Sequence, residues 1–172
     1  VLVDRAIPRN YSGYWVKASC YHEIETLAGL ARWVSQYDVR PSAVICAGTD
    51  APDVMAAVAR EYSLPGPSVE TAFISKNKLR QLEALRQAGV QVPETRVATG
   101  PDRYDMGAVL FKPATSRGAR GVQLYTMDEP IPSTAVQQAA EFGTPVLVQQ
   151  WIEGQQLSSE SLVQDGEILW TA

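Results

Sequence analysis

The stretch Val109-Leu110-Phe111-Lys112-Pro113-Ala114-Thr115-Ser116-Arg117-Gly118-Ala119-Arg120-Gly121-Val122 decides how the chain reads. Val109 to Phe111 is an apolar run with strand character. It ends in Lys112-Pro113, passes through a small, basic, glycine-bearing loop, and enters a second apolar segment, Val122 to Tyr125. Backbone N–H groups in such a turn can converge on an anion. Gly118 and Gly121 permit close approach and positive φ. Lys112, Arg117 and Arg120 add point and forked positive charge. The unit suits closure over the phosphates of a nucleotide. It equally suits an ordinary hairpin with a solvated basic loop, and the rest of the chain has to decide.

The chain has 172 residues, 45% of them hydrophobic, enough for one sizeable domain or two small lobes. Its formal net charge is -4 and its pI about 5.0, which argues against nucleic acid as the main partner. A basic loop in an acidic chain fits a small anionic ligand better. No apolar run approaches a membrane span and no signal peptide opens the chain. Cys20, Cys46 and His22 make neither a zinc pattern nor a disulfide framework, so a reduced cytoplasmic protein is expected. The chain opens on Val1-Leu2-Val3 without Met and ends on Ile168-Leu169-Trp170-Thr171-Ala172, which reads as a piece of something longer.

Upstream of the loop, Val1 to Val3 and Trp15 to Ala18 read as short strands. Glu23 to Tyr37 reads as a helix with Ile24, Leu27, Leu30, Ala31 and Val34 on its apolar stripe. Ala43 to Ala47 is a fully apolar strand of the parallel-sheet kind, running into Gly48-Thr49-Asp50. Asp50 is an expected N-cap, with Pro52 and Asp53 in the first turn of a helix to about Tyr62. Ser68 to Ile74 and Ser75 to Ala88 read as two helices. Lys76 and Lys78 then fall in the first turn of the second, where the helix dipole disfavours cations. That placement hints at function, though two solvated lysines also explain it.

Downstream, Thr95 to Ala98 and Pro145 to Trp151 are strand candidates, and Ser133 can cap a helix through Phe142. Leu157 to Val163 and Glu167 to Thr171 are joined by Asp165-Gly166, a strong two-residue hairpin signal. The first third is therefore α/β and parallel, the last third antiparallel with a helix, and a boundary is expected near residue 68.

These segments, in this order, resemble the ATP-grasp superfamily, in the branch of carbamoyl phosphate synthetase and biotin carboxylase. Ser75-Lys76-Asn77-Lys78, its leucine helix and Ala88-Gly89-Val90-Gln91-Val92-Pro93 are similar to the family's D-K-x-x-x-R-x-x-L-x-x-x-G-[IV]-x-x-P. Phe111 to Val122 resembles its V-K-P-x-x-x-x-G-S-R-G-V loop. Val146 to Glu160 resembles V-x-E-x-[FY]-[IV]-x-G-x-E-[FY]-S-V-E.

The resemblance implies a fold that is α/β then α+β. A Rossmann-like pre-ATP-grasp domain over residues 1–68 would precede the N-terminal part of an ATP-grasp domain over 69–172. It implies that Lys78 and Lys112 reach ATP phosphates and that Ser116, Arg117, Gly118, Ala119, Arg120 and Gly121 form the lid over them. Gln150 and Ile152 would meet the adenine edge through backbone groups. Gln149 and Gln156 stand where the family has glutamates, and Glu160 matches the acid of the S-V-E pattern.

The implied activity is that of an ATP-dependent carboxylate–amine ligase working through an acyl phosphate. ATP and small carboxylate and amine substrates are its partners, and a homodimer is compatible with it. Magnesium is implied too, with its E-x-N ligands expected after residue 172, so this piece by itself is expected to be a poor catalyst or none. The competing class is a non-catalytic nucleotide-binding or scaffold module, favoured by the two glutamines. A dinucleotide-dependent oxidoreductase lacks its G-x-G-x-x-G fingerprint, and a P-loop kinase lacks G-x-x-x-x-G-K-[ST].

Overall fold

The computed structural model describes all residues except 1, 5, 7, 8, 14, 19–21, 47–49 and 101–103. The chain builds a small parallel pair with helices, then a four-stranded antiparallel sheet, then a separate hairpin.

Strands β1 (Leu2–Asp4) and β2 (Trp15–Lys17) pair in parallel, with Leu2 opposite Trp15. Helix α1 (Glu23–Tyr37) has the predicted span, but its buried face is Thr26, Gly29, Leu30 and Trp33. Ile24, placed on the stripe by its hydropathy, is 74% exposed. The reason is Gly29. A methyl added there would lie 2.3 Å from Val16 Cγ1, so the bare backbone lets β2 sit against this face.

Two expectations about the following segment fail. Residues 43–46 form no strand, and Ile45 is 86% exposed: an apolar run needs a ladder partner, and none of the described strands supplies one. The Gly48-Thr49 turn lies outside the described residues. Helix α2 (Pro52–Glu61) opens on Pro52 with Asp53 in its first turn, as expected, but its N-cap is Ala51 with no side-chain cap bond. Asp50 is turned instead to Arg117.

The expected helix from Ser75 is divided at Asn77, which ends α3 (Val69–Lys76) and begins α4 (Lys78–Gln87). Its extended backbone breaks the helix, and its side-chain oxygen accepts from Leu79 N at 3.0 Å and Arg80 N at 3.2 Å. Lys76 therefore closes a helix, where the dipole favours a cation, and Lys78 opens one. Lys76 Nζ reaches Asp53 Oδ2 at 3.0 Å, joining the end of α3 to the start of α2.

The sheet order is β3 (Thr95–Val97), β6 (Val146–Gln150), β4 (Val109–Pro113) and β5 (Gln123–Tyr125), with every neighbour antiparallel. On one face, Val109, Phe111, Val146 and Val148 pack with Met106 beneath α5 (Ala135–Ala140). Ala135 and Ala139, four apart on α5, are fully buried there, as small side chains allow close helix–sheet approach. Phe111, fully buried, meets Tyr104 and Tyr125 edge-on at 5.8 and 5.5 Å between centroids. Strand alternation puts Leu110 and Lys112 of β4 on the other face.

Helix α5 is shorter than expected and Ser133 does not cap it, because the helix begins after Thr134. Strands β7 (Ser161–Gln164) and β8 (Glu167–Thr171) form the hairpin predicted from Asp165-Gly166. No helix among the described residues is long and apolar enough to cross a membrane.

Candidate functional site

The site begins where β4 runs out. Pro113 ends the strand, and Ala114 is held at both backbone atoms: its N–H donates to Pro145 O at 2.9 Å, and its carbonyl accepts from Lys78 N at 2.9 Å. The second bond fastens the first residue of α4 to the root of the loop. The Lys78 side chain follows the same direction, and its Nζ donates to the Ser116 carbonyl.

The loop closes on itself. Ser116 Oγ donates to Arg120 O at 2.9 Å, Arg120 N to Arg117 O at 3.3 Å, and Val122 N to Ala119 O at 3.2 Å. Gly118, Ala119 and Gly121 are left-handed, with φ of 60°, 54° and 73°. Gly121 is also constrained by space, since an added methyl would lie 2.9 Å from both Phe142 Cδ2 and Pro113 Cγ. Arg117 Nη1 lies 3.6 Å from Asp50 Oδ2, so the loop is tied to the segment ahead of α2.

Across the sheet, Lys112, Gln149 and Thr95 form a polar row. Thr95 and Gln149 are register partners on β3 and β6, and Gln149 lies diagonally from Lys112 on β4. Lys112 Nζ donates to Gln149 Oε1 at 2.6 Å, and Gln149 Nε2 donates to Thr95 Oγ1 at 2.8 Å. Gln149 is buried, and the row satisfies both ends of its amide. A glutamine here keeps the acceptor that a glutamate would offer to Lys112 while adding no charge.

The electrostatics are strained in one direction. Burial pushes the Lys112 ammonium below the usual lysine range, and the nearby Lys78 charge pushes it further. Burial also lowers Lys78, which the Asp50 carboxylate partly offsets. Two half-buried cations beside a turn of left-handed residues are short of negative charge, an arrangement chemically suited to an anion.

Of the residues singled out from sequence, the structure gathers Lys78, Lys112, Gln149 and Ser116 to Gly121 around one strand end. Gln150 lies next in β6, and its N–H is already engaged by Glu94 O at 2.9 Å. Ile152, Gln156 and Glu160 lie beyond β6 in exposed backbone, and Glu160 exchanges backbone bonds with Ala172 at the base of the hairpin. The sequence reading missed Thr95, which holds Gln149, and cast Asp50 as a cap. Thr95 carries no motif signal; its place follows only from the β3–β6 register. Among the described residues no three carboxylate, histidine or cysteine groups stand together as a metal site. No step is assigned to a metal.

Residues 75–171 match the sequence model of the ATP-grasp domain. An uncharacterized protein of Sinorhizobium fredii is 37% identical over 73 residues, covering 39% of this chain and 15% of that protein. The L-amino acid ligase from Bacillus licheniformis has a similar fold, with a TM-score of 0.64 at 16% identity over 81% of this chain and 33% of its own. So has the phosphoribosylglycinamide synthetase from Anaerococcus prevotii, with a TM-score of 0.58 at 14% identity over 91% of this chain and 39% of its own. The chain thus spans well under half the length of each of these relatives.

Proposed function

The chain belongs to the ATP-grasp family, and on that premise we propose that it is the ATP-binding portion of an ATP-dependent carboxylate–amine ligase. The observation that carries the reading is the pair of half-buried lysines, Lys78 and Lys112, converging beside the turn of Ser116 to Gly121. Bound ATP supplies a transferable phosphoryl group, which activates a substrate carboxylate as an acyl phosphate for attack by an amine.

The chain's own residues bind and orient. Lys112 meets phosphate oxygens from the sheet face, held in place by Gln149 and Thr95. Lys78 exchanges its Ser116 carbonyl contact for phosphate, which frees the loop to settle over the same group. Loop N–H groups add donors. Gln150 and Ile152 line the adenine edge with backbone groups, Gln156 faces the ribose, and Glu160 steadies nearby cations. The fold shared with an L-amino acid ligase supports an amino acid among the substrates. A cytoplasmic setting, where ATP is abundant, goes with this reading.

A second reading, a nucleotide-binding module without catalysis, is favoured by Gln149, whose neutral amide is wholly engaged by Lys112 and Thr95. The test is a calorimetric titration of ATP into the wild-type chain and Lys112→Ala, followed by an assay for ADP release with magnesium and a panel of amino acids. The expected result is binding that weakens at least about tenfold in the variant, the loss of one charge-assisted contact. Binding indifferent to Lys112, or none, overturns the nucleotide reading. Binding without ADP release in the longer protein selects the module.

A further inference from the structure

A cavity of about 430 Å³ lies beside the same loop, within the size range of small-molecule sites. Neither Lys78 nor Lys112 lines it. Its walls are the loop arginines Arg117 and Arg120, Asp50 and Lys76, and Glu141 and Phe142 from just beyond α5. Helix α5 packs on the face of the sheet that holds Phe111, opposite the face that holds Lys112 and Gln149. The loop therefore separates two polar spaces.

The charges in this second space sort by partner. Lys76 is paired with Asp53 at 3.0 Å, and Arg117 with Asp50 at 3.6 Å. Among the described residues no carboxylate pairs with Arg120, whose Nε donates to Arg117 O at 3.3 Å, and no cation pairs with Glu141. Arg120 and Glu141 thus face one cavity with opposite charges and are not joined to each other. A ligand bearing both charges satisfies both at once, where a simple anion leaves Glu141 as a repulsive neighbour. Phe142, 48% exposed, adds an apolar wall to the same space.

We propose that this cavity is a second binding site, which takes a small zwitterion, its carboxylate on Arg120 and its ammonium on Glu141. The site goes beyond the nucleotide reading and needs no nucleotide. Because Arg120 also accepts the Ser116 hydroxyl bond on its carbonyl, an occupied site holds the loop in its closed turn.

The probe is alanine, titrated calorimetrically into the chain without nucleotide, beside N-acetylalanine and alanine methyl ester. Alanine is expected to bind, and each capped analogue to bind about tenfold more weakly, as loss of a charge-assisted contact predicts. Glu141→Gln erases the preference over N-acetylalanine, Arg120→Gln erases the preference over the ester, and both variants keep the wild-type melting curve. ATP binds the E141Q chain as it binds wild type, which separates this site from the nucleotide site. Equal binding of all three probes, no binding at millimolar alanine, or preferences that survive both substitutions overturn the proposal.

Discussion

Lys112 carries a cost that the free chain does not recover. Its ammonium is desolvated beside a second cation, and among the described residues the side chain it bonds is a neutral amide at 2.6 Å. Its folded pKa therefore lies below the ordinary lysine value of 10.5. For a lysine shifted this way the unfolded chain binds more protons in the window between the two values. Stability from this group thus rises as pH climbs from the folded pKa towards 10.5 and is lost below that window. Nucleotide binding has the opposite sign. A polyphosphate stabilises the charged form, so ATP affinity holds on the acid side and falls as pH rises through the depressed pKa. Gln149→Glu places a carboxylate where the amide oxygen now sits. It raises the Lys112 pKa and moves the fall in affinity to higher pH, while Thr95 turns its one hydroxyl proton from the Pro93 carbonyl to the new carboxylate. The check is the alkaline midpoint of the ATP dissociation constant against pH in both chains. A midpoint that does not move removes Lys112 from the site.

At the scale of elements, the loop is a packed turn rather than a slack connection, and its two glycines differ in what they contribute. An alanine methyl at Gly118, with φ of 60°, has nothing within 4 Å. Ala119 already holds φ of 54° next door, so Gly118→Ala costs about 1 kcal/mol of left-handed strain. Gly121→Ala meets the same strain plus contacts at 2.9 Å with Phe142 and Pro113, and costs about 3 kcal/mol. Urea unfolding of the two variants checks the difference, and equal costs refute the packed turn. The same contrast explains what was legible in the sequence. Periodicity gave the span of α1, and Asp165-Gly166 gave the β7–β8 hairpin, because both signals are local. The buried face of α1 was misread because Gly29 counts as nothing in a hydropathy stripe, yet its missing methyl is what admits Val16. The break at Asn77 was hidden for a like reason: a cap looks like any polar residue between two lysines. The Lys78 and Lys112 motifs named the residues of the candidate site. Only long-range pairing, through Ala114 and the β4–β6 register, brings them to one loop.

Across the whole molecule, burial is uneven, and that sets how the chain opens. Phe111, Leu147 and Val148 are fully buried in the four-stranded sheet, which also carries the candidate-site lysine Lys112. The β7–β8 hairpin is exposed on both faces, with Leu162, Val163, Ile168, Leu169 and Trp170 each at least 55% exposed. It is held by its own ladder, by reciprocal bonds between Glu160 and Ala172 at 3.1 and 3.0 Å, and by the Ser161–Thr171 hydroxyl contact at 2.8 Å. A lone two-stranded ribbon of this kind is marginal in water, however good its turn. Amide exchange should therefore split into two classes. Hairpin amides exchange through cheap local opening, while those of β4 and β6 exchange near the limit of global unfolding. The separation matters for the proposed nucleotide site, because Lys112 and Gln149 lie in the slow class and their placement does not depend on the hairpin. Exchange measured with and without ATP tests this: added ATP slows the loop and leaves the hairpin unchanged. Hairpin protection equal to that of β6 contradicts the picture. If that protection then falls on dilution, the cover is a second copy of the chain packed on the apolar strands.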